Sequence, residues 1–210
     1  AQLTVAGLGG GEMGLRGYLL ALDSKTGAER WRWYVTEQGW EGTFTPSTAY
    51  GEPLNRDLAA EHEAAKKHAN SWRFGGGSVW TTPAIDEKRG LLYLGTGNPA
   101  PWTPQSRNAL DGLYASTLLA IRPKTGEIVW HYQYTPNDVW DVDGTDEPVL
   151  ADITFEGKPR KVLFQMNKSG FMYTIDRTNG QLLAAHPFTR VNWASHIDLK
   201  TGRPVVNQEL

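Results

Sequence analysis

Apolar residues recur along the chain in short β-branched and aromatic runs that stop at Gly, Asn, Asp or Pro, the pattern of strands joined by tight turns. Only LNRDLAAEHEAAKKHAN, residues 54–70, departs from it. That segment is rich in Ala, Glu and Lys, has few β-branched residues, and predicts a helix. The strand runs group in fours. VWTTPAID, LLYLGTG, STLLAIRP and EIVWHYQY form one set, and EPVLADITF, KVLFQMN, FMYTIDR and QLLAAHP form the next. A truncated set, LTVAGLG, GYLLALD and ERWRWYV, precedes them.

A repeated phrase marks the same units. ALDSKTGAERW (21–31) and AIRPKTGEIVW (120–130) match in register, TIDRTNGQLLA (174–184) is a weaker copy, and DLKTG (198–202) resembles the start of another. Asp and Thr side chains bond the turn backbone, Gly accepts positive φ, and the closing Trp is large enough to wedge between sheets. Trp31 and Trp130 are therefore assigned to packing. From Ala21 to Ala120 to Thr174 the copies lie 99 and then 54 residues apart, the excess being a helical insertion at about 38–74. Four strands per repeat of about 50 residues imply propeller blades. Three blades do not close a ring, so the expectation is an all-β fragment of a longer propeller.

Composition narrows the function classes. The net charge of −2, without basic blocks, argues against nucleic acid. No apolar run approaches the roughly 20 residues of a membrane helix. With no cysteine, thiolate metal sites and disulfides are excluded within this stretch.

Residues 75–102, GGGSVWTTPAIDEKRGLLYLGTGNPAPW, set Trp80 eighteen residues before Asn98 between two glycine-rich loops. The blade frame places loops 9–16, 97–107 and 167–170 on one face around an axis, so Glu12, Asn98 and Lys168 are expected to converge. Hard cations favour such carboxylate and amide oxygens.

The motifs GGGEMGLRGY, GGGSVW, GTGNPAPW, TPNDVWDVDG and NKSGFMYTIDR, with the tryptophan phrases, resemble the quinoprotein alcohol dehydrogenases over nearly the whole chain. The resemblance implies an eight-bladed β-propeller that binds pyrroloquinoline quinone (PQQ) and a metal ion on its axis, with residues 1–210 covering about two to three blades. It implies Glu12, Asn98 and Asp141 as metal ligands, Trp80 as the floor under the quinone, and Ser78, Gly10, Gly11 and Lys168 as cofactor contacts. Trp102 corresponds to an aromatic wall of the substrate cavity. Asp141 corresponds to the base that takes the alcohol proton as hydride passes to the quinone. Asp143, two residues on, resembles the extra carboxylate of the lanthanide-dependent branch and favours lanthanide(III) over Ca2+. The implied reaction is oxidation of a primary alcohol with a cytochrome c acceptor, in the periplasm, and a homodimer is compatible with it. Enzymes of this kind acting on larger alcohols, polyols or sugars, and a non-catalytic propeller scaffold, are the alternatives.

Other patterns lack their context. Gly9, Gly11 and Gly14 form GxGxxG, but a strand follows where a dinucleotide site needs a helix. His62-Glu63 begins an HExxH that ends in Lys66.

Overall fold

The computed structural model describes residues 2–36, 45–103 and 110–207. Strands β1 (Leu3–Gly7), β2 (Tyr18–Asp23) and β3 (Glu29–Tyr34) form a three-stranded antiparallel sheet. β4 (Ala84–Asp86), β5 (Leu91–Gly95), β6 (Thr117–Ile121) and β7 (Ile128–Gln133) form a four-stranded sheet in chain order. β8 (Val149–Phe155), β9 (Lys158–Met166), β10 (Phe171–Asp176) and β11 (Gln181–Pro187) form a second one. The grouping of strands is the expected one, and these sheets are consecutive blades.

The repeated phrase builds its turn as expected. Asp23 Oδ1 accepts the N–H groups of Lys25 and Thr26 at 3.1 and 3.0 Å, and Gly27, at φ 71°, donates to the Asp23 carbonyl at 2.8 Å. The glycine of each turn is also the seat for the tryptophan of the preceding blade. A Cβ on Gly126 would lie 2.8 Å from the Trp31 ring, and one on Gly180 would lie 2.8 Å from Trp130. The two dockings differ in polarity. Trp31 Nε1 donates to the Pro123 carbonyl at 2.9 Å. The matching carbonyl in the next blade, that of Arg177, is taken by the Tyr93 hydroxyl at 2.9 Å, and Trp130 Nε1 has no partner among the described residues.

Two apolar clusters fill the gaps between blades. Leu19, Val35, Val79, Leu92, Leu94, Leu119 and Ile121 bury the first. The second runs through Tyr93, Leu118, Tyr132, Tyr134, Leu163, Phe171 and Tyr173. An ion pair reinforces the second gap: Arg177 Nε lies 2.9 Å from Asp86 Oδ2, both side chains nearly buried.

Two expectations are corrected in detail, and the last copy of the phrase sits in a different setting. The VWTTPAID run pairs only over Ala84–Asp86: Pro83 has no N–H, and Val79 instead donates to the Leu8 carbonyl at 2.9 Å. DLKTG repeats the turn of the phrase, with the Lys200 N–H on Asp198 Oδ1 at 2.8 Å and the Gly202 N–H on the Asp198 carbonyl at 2.7 Å. It is the turn of a separate hairpin, β12 (Ala194–Ile197) and β13 (Pro204–Val206), whose Gly202 carbonyl accepts the Tyr132 hydroxyl at 2.8 Å. The helix is shorter than the Ala-rich segment: α1 spans Leu58–Lys66, capped by Asp57 Oδ1 on the Ala60 N–H at 3.0 Å, and a 3-10 turn follows at Ser71–Phe74. Residues 38–44 of the expected insertion lie outside the described residues. Among those described, no helix is long and apolar enough to cross a membrane.

Candidate active site

Backbone hydrogen bonds staple the blade loops side by side. Gly17 N–H donates to Gly76 O at 2.8 Å and Val79 N–H to Leu8 O at 2.9 Å, joining the first glycine loop to GGGSVW. Gly97 N–H to Ser78 O at 2.7 Å and Gly77 N–H to Asn98 O at 2.9 Å then join GGGSVW to GTGNPA. Gly144 N–H to Thr96 O at 3.0 Å adds the WDVDG segment. The Asn167 amide, donating to Asp143 O at 3.2 Å, adds NKSG. Such close approach leaves no room for side chains: a Cβ at Gly17 would overlap the Gly77 carbonyl, and one at Gly95 the Gly144 carbonyl.

This lacing brings the sequence-predicted residues together. Gly10, Gly11, Glu12, Ser78, Trp80, Asn98, Asp141 and Asp143 line one cleft of about 340 Å³, with Met13 beside them. Glu12 sits in a 3-10 turn, Gly11–Met13, and its carboxylate has no hydrogen-bond or ion-pair partner among the described residues. Ser78 is buried, and its hydroxyl oxygen accepts the Gly11 N–H, which leaves the hydroxyl proton to donate elsewhere. Asn98 is buried; its Nδ2 donates to Pro99 O at 3.2 Å, while its Oδ1 has no donor among the described residues.

Asp141 and Asp143 converge on Lys168, whose Nζ lies 3.0 Å from Asp141 Oδ2 and 3.3 Å from Asp143 Oδ2. The second oxygen of Asp143 accepts the Asn98 N–H at 2.7 Å. Burial pushes the Asp143 carboxyl above the usual range against the opposing pull of that N–H and of Lys168, and the neighbouring charge of Asp141 acts in the same direction as burial. Burial alone would lower Lys168, but the two carboxylates outweigh it and the ammonium is held above its ordinary range. Among the described residues, no group of three or more His, Cys, Asp or Glu side chains is gathered as a metal cluster. Three carboxylates and one amide instead share the cleft, and the single charge of Lys168 offsets only one of the two aspartates it bridges.

Trp80 is 53% exposed, unusual for an indole in a packed sheet protein. One side of the ring rests on Gly97, where a Cβ would come within 2.6 Å of Cζ3. Trp102 is half exposed and is not among the residues that line this cleft.

Residues 11–191 match the model of the PQQ-dependent glucose/ethanol/alcohol dehydrogenase β-propeller domain. The chain belongs to this family. It is 44% identical over 210 residues to the quinohemoprotein alcohol dehydrogenase ADH IIB of Pseudomonas putida, covering 96% of this chain and 28% of that one. The lanthanide-dependent methanol dehydrogenase of Methylorubrum extorquens is 38% identical over 96% of the chain and 34% of its own length. A solved europium-containing methanol dehydrogenase superposes on the whole chain with a TM-score of 0.84 at 35% identity, 36% of that structure being covered. The chain thus spans about a third of the relatives it matches.

Within this PQQ dehydrogenase propeller, sequence reasoning missed three residues. Gly97 is the seat of Trp80, and nothing in GTGNPAPW distinguishes it from the glycine two residues before it. Asp138 is 2% exposed and collects backbone N–H groups of the WDVDG loop, although nothing in NDVWDVDG sets it apart from the other acids. Asn167 ties the Lys168 loop to Asp143 and to Asp146 Oδ2, at 3.2 and 3.3 Å. Nothing in NKSGFMYTIDR marks it out in the sequence.

Proposed function

We propose that this chain carries the cofactor and metal site of a PQQ-dependent alcohol dehydrogenase that oxidises a primary alcohol to an aldehyde and delivers electrons to a cytochrome c in the periplasm. One observation carries the reading: Glu12, Asn98, Asp141 and Asp143, drawn from three separate loops, share a cleft with a half-exposed indole.

The residues fit the groups they would hold. Three carboxylates and an amide oxygen without a donor make an all-oxygen set suited to a hard cation. Trp80 is backed by glycine on one side, which suits a flat ring on the other. Bound there, the quinone supplies the two-electron acceptor and the metal supplies Lewis acidity.

The protein's own groups do the rest. Glu12, Asn98, Asp141 and Asp143 would hold the metal. Ser78 offers its free hydroxyl proton to the cofactor. Gly10 and Gly11 let backbone approach the ring closely. Asp141, on the more open side of the aspartate pair, receives the alcohol proton. Lys168 has three N–H bonds, of which two hold Asp141 and Asp143; the third is available for a quinone oxygen. Trp102 contributes to the substrate side as a wall outside the metal cleft. Asp143 raises the carboxylate count and favours lanthanide(III) over Ca2+.

Dye-linked oxidation of methanol, ethanol and larger alcohols by the complete protein tests this, after loading with PQQ and either Ca2+ or La3+. Turnover that needs both quinone and metal is expected. Failure with both metals would leave a non-catalytic propeller and end the enzyme reading.

A further inference from the structure

Asp138 does not line the cleft, yet its buried carboxylate takes up the backbone of the loop that does. Oδ1 accepts the Trp140 N–H at 2.9 Å; Oδ2 accepts the N–H groups of Val142 at 2.8 Å and Asp143 at 3.1 Å, and the Ser116 hydroxyl at 2.9 Å. Between these bonds, Asp141 and Asp143 stand at φ 59° and 65°. L side chains rarely adopt this left-handed region, and such conformations persist where the surroundings over-determine them. A carboxylate drawing in the N–H groups of residues 140, 142 and 143 supplies that determination.

The same anchor reaches the indole seat. Ser116, itself at φ 48°, donates its hydroxyl to Asp138 and its N–H to the Gly97 carbonyl at 2.8 Å. Gly97 is where Trp80 rests. The acidic pair and the exposed aromatic floor are therefore tied to one buried oxygen pair.

We propose that Asp138 is the positioning residue of this site: its carboxylate sets the left-handed backbone at Asp141 and Asp143 and so aims both side chains at the cation shared with Glu12 and Asn98. The proposal rests on the metal-site reading given above. It assigns Asp138 no contact with cofactor or substrate. Asn at this position keeps the size and one acceptor oxygen, but it turns an amide donor toward N–H groups that need acceptors.

The test uses the complete protein, stripped of metal, as wild type, Asp138→Asn and Ser116→Ala. Hydrogen–deuterium exchange of the peptide covering residues 139–144 reads the loop without any metal. Terbium(III) titration, followed by luminescence sensitised through Trp80, reads the site. For Asp138→Asn, exchange in this peptide is expected to speed up at least about tenfold, with β5 and β6 unchanged, and terbium affinity to fall roughly 10- to 100-fold. Ser116→Ala, which removes one donor and leaves the carboxylate, should weaken terbium only about threefold. Wild-type terbium affinity in Asp138→Asn overturns the proposal, as does exchange that accelerates equally through β5 and β6. A wild-type protein that binds no terbium overturns the metal-site reading, while the exchange comparison still decides whether Asp138 holds the loop.

Discussion

Replacing Gly97 with alanine places one methyl group under Trp80. Gly97 does not occupy the left-handed region, so alanine brings no backbone strain of that kind. Its Cβ would meet Trp80 Cζ3 at 2.6 Å, Cη2 at 3.0 Å and Asp143 Oδ1 at 3.2 Å. Carbon atoms pack at about 3.5–4.0 Å, so the ring must retreat or tilt by about 1 Å. Overpacking a closed core costs about 1–3 kcal/mol. Trp80 is 53% exposed and has room to move, so the stability cost falls to the low end, about 1 kcal/mol. The larger effect is on the ligand side. A tilted indole loses the stacking contact, worth about 0.5–1.5 kcal/mol, or up to roughly tenfold in affinity. Titrating PQQ into quinone-free complete protein by tryptophan fluorescence quenching, with Tm measured alongside, reads both quantities. Wild-type PQQ affinity in Gly97→Ala, or a steep Tm loss with unchanged PQQ affinity, would refute the assignment of Trp80 as the floor resting on Gly97.

Asp143→Ala is expected to reduce La3+-supported turnover more severely than Ca2+-supported turnover, because it removes one anionic ligand from the set; equal losses with the two metals would count against a ligand role. Arg177→Met strands the buried Asp86 carboxylate, which Arg177 and Arg89 hold below the usual range even though burial is the largest influence and pushes it upward. A loss of about 3 kcal/mol in urea unfolding is expected, and Arg177→Lys should recover only part of it. Burial holds His131 down at about 4, against an ordinary 6.5. The unfolded chain therefore takes up the proton first as pH falls, and stability present above about 6.5 declines between there and about 4, by up to about 3 kcal/mol. His131→Gln should flatten that slope in unfolding curves taken across the window, and an unchanged slope would place the titration elsewhere.

The blades were legible because their determinants are local. An Asp or Thr that bonds its own turn, a Gly at positive φ and a Trp four residues later all lie within one phrase, and Trp31 on Gly126 and Trp130 on Gly180 follow from it. The side-by-side placement of the loops that carry Glu12, Asn98 and Lys168 was legible through the same periodicity, since equivalent loops of consecutive blades emerge on one face; Asp141 came only with the family resemblance. What escaped depends on neighbours distant in sequence. Asp138 gains its meaning from burial against Ser116, twenty-two residues away, and from N–H groups whose direction is set by the loop it closes. Gly97 matters because an indole seventeen residues earlier lies on it. DLKTG has the turn chemistry of a blade, but its glycine packs against Tyr132 of an earlier sheet, and local pattern cannot tell the two settings apart.

Anomalous diffraction from crystals of the complete protein grown with PQQ and lanthanum is the most direct measurement of the central claim. The expected result is one strong lanthanum peak bounded by oxygens of Glu12, Asn98, Asp141 and Asp143, with the quinone lying on Trp80. A lanthanum peak away from these four side chains, in crystals of protein that turns over alcohol, would contradict it.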